Sequence, residues 1–426
     1  MTVAGSIRDT SCTWRALLPA DRTFVALPSR SRPVIIAEWD TAVLRYVRQN
    51  LLARPPGSQL PGWLYQVAGP TLRLRGMWRL APRLHPMPRL RSGTEVQVEP
   101  AEKCVLAWLD SIEHRVIVLD HSRDPDGSFI LLLFPPASAE PTIAVKVPTC
   151  AAAAARVGNG RDRFRQLELE PLGTVRETIP RLIEIEGLPA LATTAQPGVS
   201  MLVRYYRAGH SGCPAAVRTD FAAAGAWLTA LQSTPTGPRV ALDVAQSTID
   251  AAQVQLAGRP EQLNVALGAL AGLRRSLRHH QVTSTVVHGD FWLGNILTRD
   301  GVVTGVVDWE RAAVAGDPVR DVARFAVSYS LYLDRHTRTS RPVAGHSGLL
   351  GRAPGGGVRY VIDGHGWYSL LVRGFMGDAL QRLGLPPSLA ADVMRAELAA
   401  IAAEATEPGF CRDHWQMFTE VCAGYR

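Results

Sequence analysis

The chain contains no long apolar run. Its longest strand-like stretch of apolar side chains, Phe129 to Phe134, is stopped by Pro135-Pro136, far short of the roughly 20 residues of a membrane-spanning helix. The first residues, MTVAGSIRDTSCTW, lack the apolar core of a secretory signal. A cytoplasmic protein with no membrane span is the expectation. Cysteine is scarce as well. The six thiols (Cys12, Cys104, Cys150, Cys213, Cys411, Cys422) are scattered and form no C-x-x-C pair. That argues against a disulfide frame or a zinc site and for reduced, mostly buried thiols. No internal repeat is present. Hydrophobic residues make up 46% and charged residues 20% of the 426, a globular balance with material for more than one domain.

What the sequence does have is a net charge of +8. An excess of that size suits an anionic partner such as a nucleotide, a phosphorylated metabolite or nucleic acid, or simply an Arg-rich solvated surface. The Arg-dense segment LRLRGMWRLAPRLHPMPRLR (72–91) carries no nucleic-acid motif and reads as a solvated connector, so no nucleic-acid partner is expected.

Three regions follow from periodicity. Residues 1–110 form an accessory α/β module of unassigned role, with short strands in TWRALLP, TFVALP and PVIIAEW and a helix over TAVLRYVRQNLLAR. Residues 111–198 give strands at RVIVL, SFILLLF and TIAVKV, a helix over GRDRFRQLELEPLGTV, and a strand at PALATTA: a small antiparallel-sheet lobe. From 199 to 426 the helical period dominates. The fold class is α+β and bilobal, a small sheet lobe followed by a mainly helical lobe.

The chemistry concentrates in VVHGDFWLGNILTRDGVVTGVVDWE (286–310). Asp300-Gly301 between two apolar runs is a strong hairpin signal. A hairpin returns to its starting end, so Asn295 before it and Asp308 after it should lie together, with Asp290 on the adjoining loop facing both. Mg2+ takes one or two hard oxygen ligands from protein and the rest from phosphate and water. Asn295 and Asp308 therefore suit the metal, and Asp290 suits the role of base toward an attacking hydroxyl. Lys146, in AVKV of the small lobe, is the candidate cation for nucleotide phosphates. His288 reads as structural, Asp317 as the N-cap of the helix that begins at Pro318, and Asp321 as a brace for the loop.

The string HGDFWLGN…VVDWE…AGDPVRDVA resembles the signature of the aminoglycoside phosphotransferase and choline kinase family, over residues from about 110 to 426. The resemblance implies a protein-kinase-like fold and an ATP- and Mg2+-dependent phosphotransferase, a kinase acting on a small-molecule hydroxyl. Under it Asp290 is the catalytic base, Asn295 and Asp308 are the metal ligands, and Lys146 is the lysine at the α/β-phosphates. Glu168 is the lysine's ion-pair partner, with Leu172 and Val175 on the same helix face, and Glu170 is the competing candidate beside Pro171. The G-x-G-x-x-G loop of protein kinases is absent, as in this family. Sugars and polyols lead as acceptors, with aminoglycosides behind them. Residues 363–380 are expected to line the acceptor cleft, and Glu397, Glu404, Glu407 and Asp413 are the acids available to a cationic acceptor. An inactive nucleotide-binding pseudokinase or an interaction protein on the same fold is the competing reading.

Overall fold

The structure is a computed structural model that describes residues 17–19, 21–27, 33–52, 83–84, 100–120, 127–207, 209–335 and 337–423. The Arg-dense segment read as a connector lies outside these residues except for Arg83–Leu84, and so does the start of TWRALLP. The chain divides into two compact units, one made of residues 1–52, 63–165 and 180–195, the other of 53–62, 166–179 and 196–426.

The first unit is built on one sheet of eight antiparallel strands: β1 (Phe24–Leu27), β2 (Ile35–Glu38), β3 (Arg83–Leu84), β4 (Arg115–Leu119), β5 (Ser128–Phe134), β6 (Ile143–Pro148), β7 (Leu182–Ile183) and β8 (Leu191–Thr194). Their spatial order is β3-β1-β2-β4-β5-β6-β8-β7. The pairing of β2 with β4, Ile36 opposite Val118, makes residues 24–38 continuous with the strands of the 111–198 region.

Side chains two apart share a face of a strand, and both faces here are apolar. Phe24, Ile36, Val116, Val118, Phe129, Leu131, Val145 and Val147 face helix α2 (Pro100–Asp110) through its Val105 and Leu109. Val25, Ile35, Ala37, Ile117 and Leu119 face α1 (Thr41–Tyr46) through Val43 and Leu44. Asp40 caps α1 by accepting from the backbone N–H groups of Ala42 and Val43 at 2.9 and 3.0 Å, as an N-cap aspartate should.

Helix α3 runs from Ala151 to Glu168, so one expectation is corrected. The helix starts nine residues before Gly160 and stops before Leu172 and Val175, which sit instead on or beside a separate 3-10 turn at Gly173–Thr178. Pro171 has no N–H to continue the helix and disfavours helical geometry in the residue before it. The shared helix face proposed for Glu168, Leu172 and Val175 does not exist.

The second unit is mainly helical: α4 (Met201–Tyr205), α5 (Pro214–Leu231), α6 (Gln246–Gln255), α7 (Pro260–Leu277), α8 (Pro318–Leu331), α9 (Gly356–Asp363), α10 (Trp367–Arg382), α11 (Ala390–Ala403) and α12 (Pro408–Val421). Two small sheets hold its central loop. In one, β11 (Gln281–Val287) lies between β10 (Pro235–Ala241) and β14 (Ala313–Gly316); in the other, β12 (Ile296–Arg299) lies between β9 (Val199–Ser200) and β13 (Val302–Val306). Among the described residues no helix is long and apolar enough to cross a membrane.

Candidate active site

The hairpin forms where the sequence puts it. Asp300 and Gly301 take φ of 51° and 79°, the left-handed pair that a two-residue turn requires to match strand twist. Ile296 then pairs with Val306, and the Val307 N–H donates to the Asn295 carbonyl at 2.9 Å. Asn295 and Asp308 thereby flank the open end of the hairpin, one residue before it and two after it. Asp308 adopts φ 68° and ψ 61°, a left-handed conformation that a non-glycine residue holds only at a cost. It is exposed there, at the start of the short turn Trp309–Arg311.

The loop from β11 to β12 is pinned from beneath. Phe291, Leu293, His288 and Trp309 are fully buried; Phe291 stacks on Trp227 with centroids 5.0 Å apart, and the His288 ring meets Trp309 edge-on at 4.7 Å. His288 accepts the Asp290 N–H at Nδ1 (3.2 Å), which leaves its proton on Nε2, donated to the Val307 carbonyl at 2.9 Å. That is a structural histidine. Gly289 has φ 79°, and a Cβ there would run into the Arg311 carbonyl.

Asp321, on the first turn of α8, is fully buried and accepts the N–H groups of His288 (2.7 Å) and Gly289 (2.8 Å). Burial raises its pKa, with His288 and the two amide hydrogen bonds pulling the other way. Asp317 caps α8 through the Val319 N–H at 2.9 Å, and burial pushes its carboxyl up to about 6. A carboxyl raised in the folded state stabilises most at acid pH, and that contribution is lost as pH climbs through about 6. Asparagine caps equally well without titrating. The difference in Tm between Asp317→Asn and the parent chain should therefore grow in favour of the variant from pH 4 to pH 7; a constant difference would contradict the burial of that charge.

With its backbone fixed, Asp290 is half-buried and its side chain is held from two sides. The Asn295 amide donates to the Asp290 carbonyl (3.0 Å) and to Asp290 Oδ2 (3.3 Å). Both amide donors are thus directed at Asp290, which leaves the Asn295 carbonyl oxygen as the group able to ligate. From the other side Arg324 Nε lies 3.2 Å from Asp290 Oδ1.

Arg324 is the residue that sequence reasoning missed. It is 4% exposed, and its guanidinium also pairs with Glu397 Oε1 at 3.1 Å and Glu404 Oε2 at 2.5 Å. Burial works against its charge, but the three carboxylates outweigh that and raise its pKa above the ordinary arginine value. Glu397 is pushed up to about 7 by burial, against the pull of Arg324 and Arg320. Glu404 also pairs with Arg311 and Arg320. The signal lay in α8 itself: every residue from Asp321 to Ser330 is buried, and an arginine inside such a helix requires anionic partners.

Of the five predicted site residues, three come together and the other two belong to different compact units. Asp290, Asn295 and Asp308 come together at one end of the β12–β13 hairpin. Lys146 lies on β6, half-buried, opposite Ile130 and Leu191 in register and on the face away from Val145 and Val147. Glu168 is the exposed last residue of α3 and belongs to the second unit, whereas Lys146 belongs to the first. The expected cationic-acceptor acids are mostly engaged elsewhere: Glu397 and Glu404 by arginines, and Glu407 as the N-cap of α12.

The model of the phosphotransferase enzyme family (APH) matches residues 122–350, more than half of the chain. The chain belongs to this family. It is a small-molecule phosphotransferase, and its antiparallel sheet followed by a mainly helical region is the α+β plan expected from the sequence. Similar solved structures include a thermostable mutant of aminoglycoside phosphotransferase APH(4)-Ia with ADP and hygromycin B. It is 14% identical, with 78% of this chain and 100% of that one covered and a TM-score of 0.46. The GDP and kanamycin complex of APH(2'')-IIIa is also 14% identical, with 76% and 98% covered and a TM-score of 0.44. Likeness at that level says nothing about the acceptor. No curated protein matches the chain.

Proposed function

We propose that this phosphotransferase moves the γ-phosphoryl group of ATP, with Mg2+, to a hydroxyl of a small molecule. The observation that supports this most is the meeting of Asp290, Asn295 and Asp308 at the open end of one hairpin. Asp290 orients the acceptor hydroxyl and takes its proton as the oxygen–phosphorus bond forms and the bond to ADP breaks. Arg324 acts through Asp290 as a positioning residue, fixing the carboxylate rotamer against the Asn295 amide.

The donor set suits a magnesium ion. Asn295 and Asp308 offer one amide oxygen and one carboxylate, both hard ligands, and among the described residues no cluster of three His, Cys, Asp or Glu side chains forms a complete protein cage. A site of two protein oxygens completed by phosphates and water is the usual Mg2+ arrangement. When bound, the ion neutralises charge on the phosphates during transfer. Lys146 is proposed as the lysine at the α- and β-phosphates, with Glu168 as its carboxylate partner and Glu170 as the alternative. In this reading residues 111–198 bind nucleotide and residues 199–426 hold the acceptor.

The test is nucleotide turnover with Mg2+ across a panel of hydroxylated compounds, with ATP and GTP as donors, scored as the phosphorylated product. Acceptor-dependent ADP release with matching product supports the reading. Nucleotide binding without transfer to any acceptor contradicts it and favours a binding protein on the same fold.

A further inference from the structure

Behind Asp290 lies a cluster of charges that solvent barely reaches. Glu397, inside α11, is 5% exposed, and Arg324 of α8 is 4% exposed. A carboxylate at that depth is rare unless it is paired. Glu397 is shared between two arginines of α8: Arg324 Nη1 lies 3.1 Å from its Oε1, and Arg320 Nε lies 3.9 Å from its Oε2. Glu404, just past the end of the same helix, pairs with Arg311, Arg320 and Arg324.

Arg324 is held more by charge than by direction. Its Nε, 3.2 Å from Asp290 Oδ1, lacks the alignment of a hydrogen bond, and so does Glu397 Oε1. The aligned hydrogen bond of this guanidinium runs from Nη2 to Glu404 Oε2 at 2.5 Å. The group is thus anchored at Glu404 and drawn between two carboxylates, Asp290 at Nε and Glu397 at Nη1. Water does not screen such pairs, so each charge counts for more than it would at the surface. The other charged groups that act on Glu397 are Arg320 and Asp321 of α8 and Glu404. From α12, His414 lies close to Arg324, and burial lowers the pKa of its ring.

We propose that Glu397 is a positioning residue for phosphoryl transfer: its negative charge, acting through Arg324, holds the Asp290 carboxylate in its working place. With that charge gone, the guanidinium is drawn toward Asp290 and Glu404, and the Asp290 side chain moves with it. The inference rests on Asp290 being the base toward the acceptor.

The probe is MgATP with water in place of the acceptor hydroxyl, read as phosphate release by the parent chain, Glu397→Gln and Glu397→Asp. Glutamine keeps the shape and loses the charge; aspartate keeps the charge and loses a methylene. Positioning by charge predicts a kcat about tenfold lower in Glu397→Gln at pH 8, a smaller loss in Glu397→Asp and an unchanged KM for ATP in both. A packing role alone predicts the reverse order. Burial raises the Glu397 pKa to about 7, so the parent chain loses the same charge in acid. The ratio of parent to Glu397→Gln kcat should therefore fall from about tenfold at pH 8 to about twofold at pH 6. In an Arg324→Lys background Glu397→Gln should change kcat by less than about twofold, since both act through one guanidinium.

A crystal structure of Glu397→Gln answers without turnover: the Arg324 guanidinium and the Asp290 carboxylate should have moved together by about 1 Å. Glu397→Gln at the parent rate, or Arg324 and Asp290 unmoved in that crystal, overturns the inference. If Asp290→Asn abolishes phosphate release while Glu397→Gln keeps the parent rate, Asp290 stands as the base and the role of Glu397 alone falls. If Asp290→Asn keeps the parent rate, the reading of Asp290 falls and the role of Glu397 with it.

Discussion

Asp290→Ala and Asp290→Asn should each lower kcat by about 10²–10⁴-fold, the span expected for a lost general base. Asparagine is nearly isosteric and its one amide oxygen can still face Arg324 or Asn295, though not both, but it cannot take a proton from the acceptor. The effect should therefore fall on kcat, with the nucleotide KM little changed, because Asp290 is not proposed to touch the nucleotide. The fold should survive the change, since Arg324 keeps Glu397 and Glu404 as partners. Steady-state turnover of the folded variants is the measurement. Near-normal kcat in Asp290→Asn would remove Asp290 from the mechanism.

Arg324→Lys should lower kcat by about 10²-fold, the cost of a misplacement of the order of 1 Å in a positioned group. One guanidinium serves three carboxylates from three directions; a single ammonium point charge cannot reproduce that planar fork. The charge is retained, so the fold persists and the nucleotide KM holds while kcat drops. Arg324→Met is harsher, because it takes from the buried Glu397 its nearest cation and leaves it only Arg320 at 3.9 Å, at a cost of up to about 3–5 kcal/mol in stability. The two variants separate the roles. If Arg324→Lys loses thermal stability but its folded fraction turns over normally, Arg324 is architectural and does not position Asp290.

How much was legible in the sequence depends on the range of the interaction. Local signals translated directly. Asp300-Gly301 made its hairpin because both residues tolerate positive φ, RVIVL and SFILLLF are β4 and β5 residue for residue, and Asp317 caps the helix that Pro318 opens. Asp321 was read as a brace and is one, through two backbone N–H groups.

The misreadings share a cause in competing or distant signals. The alanine run that starts α3 has high helix propensity, but Gly158 and Gly160 interrupt the pattern and hid it. β10, Pro235–Ala241, was not anticipated, since it contains two prolines and a glycine; it forms a strand because it lies at a sheet edge, where a missing N–H is tolerated. Most instructive is the cluster around Arg324. Its partners stand 34, 73 and 80 positions away in the chain, and no local pattern connects them. Glu397 and Glu404 looked like free acids suited to a cationic substrate. The fold uses both to hold an arginine behind the loop that carries Asp290.

The central claim is that the end of the β12–β13 hairpin is a magnesium-assisted phosphoryl-transfer site. It is tested most directly by following label from [γ-³²P]ATP into an acceptor while Mg2+ is titrated, in the parent chain, Asp290→Asn and Asp308→Asn. Mg2+-dependent label transfer is expected in the parent chain, a raised Mg2+ requirement in Asp308→Asn, and nucleotide binding without transfer in Asp290→Asn. Label transfer that is the same in all three proteins, or indifferent to Mg2+, would contradict it.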